Sequence, residues 1–218
     1  MTGRDLPVEI KDLSIDYGKY PVIQNFSLTV TPGEAVLIRG PSGCGKSTLL
    51  HSICGLIPRT IPANVEGQVL IFGNKPVDLT IEKRAKEVGI VFQNPETQLF
   101  SDSVEDEIAF GLENLCVPSD KIGERIEQML SLVQMEDFRY ASPRELSGGQ
   151  KQRIVLASVL AIDPKILLLD EALSQMDLVG KQILISHLEV LRKQGRTMLM
   201  VDHDDTLAKI ASRVVELV

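Results

Sequence analysis

The residues with the most chemical content stand together in Gly40-Pro41-Ser42-Gly43-Cys44-Gly45-Lys46-Ser47, followed by Thr48. Glycines at these intervals let successive backbone N–H groups turn inward as an anion-binding nest. Lys46 adds a point charge for outer phosphates, and a helix starting behind it adds its positive dipole end. The Ser47 hydroxyl is placed to ligate Mg²⁺. The spacing is that of a phosphate-binding loop, so ATP with Mg²⁺ is the expected ligand. A chance glycine-rich turn is the plainer reading of such a peptide. The apolar run before it and the helical pattern after it argue against that reading.

A second group is Ile166-Leu167-Leu168-Leu169-Asp170-Glu171, which ends an apolar strand on two successive carboxylates. Asp170 can hold the water shell of a metal. Glu171, one residue later, points elsewhere and is expected to orient or deprotonate an attacking water. Alone, the pair is as well read as an acidic strand cap; beside a phosphate loop it reads as catalytic.

These groups need rigid elements to hold them. Segments 8–17 and 26–30 alternate apolar and polar residues as half-buried strands do, with 17–21 as the turn between them, which predicts an antiparallel start. After Pro32-Gly33, residues 35–38 form a buried strand feeding the glycine loop, and a helix is expected over 46–55. Residues 57–64 are rich in proline and small side chains; 67–72 and 88–92 read as further strands that extend the sheet. From 103 to 135, Val104, Ile108, Phe110 and Leu112, then Ile122, Ile126, Met129 and Leu132, recur at helical spacing. Beyond Ser147, helix (150–161), strand (166–169), helix (178–194) and strand (197–201) alternate, which implies parallel pairing. Asp177 stands where an N-cap is wanted and Gly195 where a helix should stop.

The 218 residues with 44% hydrophobic content suffice for one well-filled core, with room for a small inserted subdomain. A net charge of −7 argues against nucleic acid as a partner. No apolar run approaches the roughly 20 residues of a membrane-spanning helix, and the first residues lack a signal peptide's apolar stretch, so a cytoplasmic location is expected. Cys44, Cys54 and Cys116 match no metal-ligand spacing, and no disulfide or metal is assigned to them. His51 and His187 match no motif and read as surface or core fillers.

The peptide Leu146-Ser147-Gly148-Gly149-Gln150, about 20 residues before Asp170, would alone be a glycine-rich N-cap. Between a phosphate loop and a strand ending in Asp-Glu it resembles the signature of the ATP-binding-cassette (ABC) ATPases, and the resemblance spans nearly the whole chain. It implies an α/β fold: a P-loop NTPase cassette with a mixed core sheet, an N-terminal antiparallel β edge and a helical subdomain. In a single domain, 1–102 and 147–218 would form the core and 103–146 the helical subdomain. It also implies that two cassettes pair head to tail, so that Leu146, Ser147, Gly148, Gly149, Gln150 and Asp177 act in trans on ATP held by the partner. By the same resemblance, Tyr17 stacks on adenine, with Tyr20 as a substitute; Gln93 contacts Mg²⁺ and water; and His203 contacts the γ-phosphate. Catalysis would then rest on Glu171, His203 and Lys46, and the metal on Ser47, Gln93 and Asp170.

The sequence departs from the family in two places. Ala172-Leu173-Ser174-Gln175-Met176-Asp177 lacks the usual proline and carries bulkier residues, which raises a heteromeric partner. Asp202 precedes the switch histidine and would repel a γ-phosphate unless turned away or paired. The chain also stops at Val218, where the family's cassettes commonly continue, which implies a minimal or excised domain or one half of a tandem protein.

The roughly 50 residues between Gln93 and the signature are far too few for the long coiled coils of chromosome-handling relatives, which favours transport. The segments 93–100 and 104–114 are similar to the ATPases of energy-coupling-factor importers, which take up vitamins and transition-metal ions. The resemblance therefore implies integral membrane transport subunits as partners and a peripheral place on the cytoplasmic face of the membrane. The acidic helix start Glu105 to Glu107 suits the helix dipole and either receives basic residues of a membrane partner or forms a solvated face. Two alternatives remain: a soluble cassette acting in translation or DNA repair, and a weakly hydrolysing subunit paired with a more active one.

Overall fold

In a computed structural model, the structure describes residues 6–18, 20–174, 176–202 and 206–217. The alternating N-terminal segments form β1 (Val8–Asp16) and β2 (Pro21–Val30), paired antiparallel, and the other edge of β1 takes β4 (Asn64–Ile71). The resulting sheet has the order β2-β1-β4. β2 begins well before the expected residue 26, and β4 begins at Asn64. The first five residues of β4 are all exposed, with Val65 the one large apolar side chain among them, so its start carries no alternation to read.

The second sheet is built from short apolar strands: β3 (Ala35–Arg39), β5 (Val88–Val91), β6 (Ile166–Asp170), β7 (Thr197–Val201) and β8 (Arg213–Glu216). Their order is β5-β6-β7-β3-β8 and every pairing is parallel. Successive residues divide between two cores. Leu37, Leu167, Leu169, Met198 and Met200 pack toward one face, and Val36, Ile38, Leu168, Leu199 and Val201 toward the other. Burial on both faces explains why these strands read as continuous apolar runs. Parallel pairing has a second effect: the carboxyl ends of β3, β5, β6 and β7 lie on one edge of the sheet, where ligands bind in open α/β folds.

The helices form where capping and periodicity agree. α1 (Lys46–Ile53) follows Gly45, which sits at φ +100. α2 (Ile81–Glu87) starts on a Thr80 cap; it buries no residue, and its charged sequence offers no apolar stripe, which is why no periodicity predicts it. Segment 103–146 carries α3 (Val104–Asn114), capped by Ser103, and α4 (Ser119–Val133), stopped by Gln134 at φ 54. α5 (Gly148–Ala161) and α6 (Leu178–Lys193) complete the helical layer on the first core. β8 is four residues long, and its pairing with β3, not its own pattern, makes it a strand.

Candidate active site

The chain leaves β3 through the glycine loop, and two glycines there have direct steric reasons. A Cβ on Gly40 would stand 2.3 Å from the Leu217 carbonyl oxygen, and one on Gly45 would stand 2.9 Å from the Val22 and Ile23 side chains. Neither position admits a larger residue without displacing neighbouring chain. Lys46, buried at 5% exposure, donates from Nζ to the carbonyls of Gly40 and Pro41, both at 2.9 Å. A buried ammonium held by carbonyl dipoles is stabilised further by an anion, because dipoles alone offset its desolvation only in part.

One cavity of about 350 Å³ gathers Val22, Ser42, Gly43, Gly45, Lys46, Ser47, Thr48, Gln93 and Glu171. Four segments distant in sequence therefore meet at the carboxyl edge of the sheet. Ser47 Oγ donates to Asp170 Oδ1 at 3.1 Å. Burial pushes the Asp170 carboxyl above its ordinary range, against the Ser47 hydrogen bond and the charges of His51 and Lys46. A buried carboxylate with a hydroxyl beside it is an oxygen-donor pair suited to a hard divalent cation, whose charge would favour the ionised form. Among the described residues no group of three or more His, Cys, Asp or Glu forms a metal cage. A metal at Ser47 and Asp170 would therefore draw further ligands from water and phosphate, as Mg²⁺ commonly does.

Glu171 diverges from Asp170 because the chain turns at φ 47 as it leaves β6. That left-handed conformation is uncommon outside glycine, and it is held by the Glu171 N–H on the Val201 carbonyl (2.9 Å) and the Ser174 N–H on the Glu171 carbonyl (3.0 Å). The Glu171 carboxylate accepts from Gln93 Nε2 at 2.5 Å. The geometry thus brings the second residue after β5 against the residue after β6, leaving the Gln93 side-chain carbonyl oxygen for other contacts.

The remaining predicted residues divide. Pro41 and Cys44 belong to the loop without lining the cavity; Cys44 Sγ lies where a Cβ on Gly40 would be met at 2.7 Å. Tyr17 is linked to the site through its hydroxyl, 3.3 Å from Thr48 Oγ1, and lines a neighbouring cavity with Pro58, Pro62 and Asn64. Tyr20 is 79% exposed and lines neither. His203 lies outside the described residues, as do Lys19 and Gln175. Asp202, at the end of β7, is buried and is not part of the cavity lining.

Leu146, Ser147, Gly148, Gly149, Gln150 and Asp177 do not line the cavity. The Ser147 hydroxyl accepts from the Gln150 N–H while Gln150 Oε1 accepts from the Ser147 N–H, a capping box that orders this turn locally. Asp177 caps α6 by accepting from the Gly180 N–H at 2.7 Å. The altered segment before it turns inward: Ala172, Leu173 and Met176 are buried in the first core, so Met176 bulk is absorbed within the chain. Leu178 and Val179, directly after Asp177, are 80% and 63% exposed.

Two expectations gain detail. The acidic start of α3 is partly engaged within the chain, while Asp106 stays exposed. Glu105 is held in a two-pronged contact by Arg139 (2.8 and 3.1 Å), and buried Glu107 accepts from the Phe100 and Ser101 N–H groups. His51, half-buried, fills space next to the site. One helical turn after Ser47, it packs edge-on against Phe92 with ring centroids 5.5 Å apart and feels the Asp170 charge. The i, i+4 spacing from Ser47 was the available signal.

Comparison with known proteins decides the family. The ABC transporter family model matches residues 23–174, which include the glycine loop, Gln93, the signature and Glu171. The chain belongs to the ABC transporter family. A Methanosarcina mazei protein ascribed to ABC transporters as an ATP-binding component is 43% identical over 212 residues, 95% of this cassette but 36% of that protein. The cassette thus spans about a third of the length of the first curated relatives it matches. The energy-coupling factor transporter ATP-binding protein EcfA1 of Leuconostoc mesenteroides is 37% identical over 95% of the cassette and 76% of its own length. Among solved structures, CbiO1 of Clostridium perfringens, part of the ABC transporter complex CbiONQ, superposes with TM-score 0.82 at 30% identity, covering 98% of the cassette and 85% of CbiO1. The ATP-binding cassette MJ0796, a dimer in a post-hydrolysis state with ADP and phosphate, superposes with TM-score 0.85 at 28% identity, covering 96% and 94%. The cassette thus has the ABC ATPase fold. No helix among its described residues is long and apolar enough to cross a membrane.

Proposed function

We propose that this chain is the ATP-hydrolysing cassette of a membrane importer of the energy-coupling-factor type, for a vitamin or a transition-metal ion. The observation that carries the ATPase part is the single cavity that gathers Lys46, Ser47, Gln93 and Glu171, with Asp170 one hydrogen bond away. Lys46 and the loop N–H groups hold the outer phosphates, and Thr48 places Tyr17 beside the loop for the adenine ring. Mg²⁺, when bound to Ser47, Asp170 and Gln93, supplies positive charge to the phosphate oxygens. Glu171 orients water and accepts its proton as that water attacks in line, and Gln93 keeps the carboxylate aimed. His203 follows β7, which pairs with β6, and completes the γ-phosphate side.

The signature residues stand outside this cavity with their own turn already ordered, so they act on a second cassette's ATP. Dimeric MJ0796 supports that arrangement, and exposed Leu178 and Val179 beside Asp177 offer apolar surface for the apposition. Whether the second cassette is identical or a different chain, each closed pair holds two composite sites, and hydrolysis reopens them. Residues 103–146 act as the helical subdomain against a core of 1–102 and 147–218.

The importer reading draws on EcfA1 and CbiO1, and on the chain's own groove of about 380 Å³ lined by Glu96, Leu99, Phe100, Ser101, Pro143, Arg144 and Lys151. Exposed Phe100 and Phe110 pack edge-on at 4.6 Å beside it, an aromatic step suited to a membrane subunit's cytoplasmic helix. The protein is then peripheral on the cytoplasmic face of the membrane and uses no nucleic acid. Purification from detergent-solubilised membranes tests this: small integral membrane subunits should co-elute with the chain, and Phe100→Ser should release them. Retention on ribosomes or DNA in their place would overturn the transport reading in favour of a soluble cassette.

A further inference from the structure

Where the chain leaves β5, the Phe92 backbone loses its ladder partners, and its N–H and C=O must find others or be left wanting. Side-chain amides take both. Gln98 Oε1 accepts from the Phe92 N–H at 2.7 Å, while Gln98 Nε2 donates to the Ile90 carbonyl at 3.0 Å. Gln152 Nε2, reaching from α5, donates to the Phe92 carbonyl at 2.9 Å. The Phe92 ring meets His51 of α1 edge-on. The peptide directly before Gln93 is therefore fixed from three sides.

Gln152 is buried at 1% exposure, and its Oε1 has no hydrogen-bond partner among the described residues. A buried amide with an unmatched acceptor is less stable than an apolar side chain of its size. Its packing alone gives no reason for glutamine; its one donor contact does. Lys151, its neighbour on the helix, ties the same turn to Glu96 by an ion pair at 2.8 Å. Both links join the helix that begins at the signature to the loop that carries Gln93.

We propose that Gln98 and Gln152 clamp the Phe92 peptide and thereby set Gln93 against Glu171. Gln152 is then a positioning residue through which the helix beginning at Ser147 acts on the hydrolytic pair of its own chain. The clamp rests on the reading of Gln93 and Glu171 given above. It also gives the signature turn a second output: a contact made there in trans is transmitted along α5 to the water-activating residues in cis.

The test is steady-state ATP hydrolysis by the full-length protein, with amide hydrogen exchange at Phe92. Gln152→Leu keeps the volume and removes the donor; it should lower kcat about tenfold and leave KM for ATP within about twofold. Gln98→Leu should do the same and speed exchange of the Phe92 N–H. Gln98→Glu keeps the acceptor for the Phe92 N–H but loses the donor to the Ile90 carbonyl, so it should recover only part of that protection. The double variant Gln93→Ala with Gln152→Leu should be no slower than Gln93→Ala alone, because the second residue acts through the first. Wild-type turnover in Gln152→Leu beside a slow Gln93→Ala would overturn the clamp and leave the hydrolytic assignment standing, as would multiplying losses in the double variant. Wild-type turnover in Gln93→Ala itself would overturn the assignment of Gln93, and the clamp with it.

Discussion

Two glycine-bearing turns start helices in this molecule, and they differ in what they collect. The loop before α1 draws in partners from the ends of β5 and β6, so that Lys46, Ser47, Gln93 and Glu171 share one cavity. The signature turn before α5 satisfies itself: Ser147 and Gln150 bond each other's backbone, and no residue of that turn lines the cavity. The first turn is a site within one chain. The second is an ordered turn outside that cavity, which the proposed function pairs with another cassette.

If that contrast holds, changes at the first turn should damage chemistry and changes at the second should divide into a local stability effect and an intermolecular one. The largest effect belongs to Glu171→Gln, which removes a proton acceptor while preserving shape. Turnover should fall about a hundredfold or more with ATP affinity little changed; unaltered turnover would show that another group activates water. Lys46→Ala should weaken ATP binding by roughly tenfold to a hundredfold, measured by calorimetry, because a charge-assisted contact to phosphate is lost.

Backbone substitutions separate the turns further. Gly45→Ala forces a Cβ into Val22 and Ile23 at φ +100, and should cost about 1–3 kcal/mol in denaturant unfolding while distorting the phosphate loop. Ser147→Ala loses only the cap, about 1 kcal/mol, with ATP binding by the isolated chain unchanged. Equal losses of ATP affinity in both variants would erase the distinction.

The smallest contrast lies in protonation. Burial holds His187 below its ordinary pKa of 6.5, and His51 likewise, with Asp170 pulling His51 partly back. Because the unfolded chain takes up these protons first, the stability they contribute is full above pH 6.5 and declines as pH falls. Asp170 works in the opposite sense: its folded pKa is raised, so its burial cost is absent in acid and appears as pH rises through that value. His187→Gln, remote from the phosphate loop, should flatten the acid limb of the unfolding curve below pH 6.5 without moving ATP affinity; an unchanged limb would remove His187 from the account.

Legibility in the sequence followed how local each signal was. The phosphate loop, the Asp170-Glu171 pair and the signature each fit within eight residues, and the strands β3, β6 and β7 announce themselves as apolar runs because both faces are buried. α2 escaped because five of its seven residues are charged and none is buried, so it carries no stripe, and β8 because only its register with β3 defines it. Nothing in the sequence showed that Glu105 belongs to Arg139, 34 residues away, or that Gln152 meets Phe92, 60 residues away. Such contacts are properties of the assembled fold. Ser47 and His51 lie between these cases, since helical spacing places them on one face but does not tell which neighbour awaits there.

The central claim is that each phosphate loop is completed by the signature of another cassette. Mixing two inactive variants tests it: Lys46→Ala, with an intact signature, and Ser147→Arg, with an intact phosphate loop. Completion in trans predicts that the mixture regains up to about a quarter of wild-type ATP turnover, since half the dimers are mixed and each holds one intact composite site. A mixture no more active than either variant alone, with mixed dimers shown to form, would contradict the account.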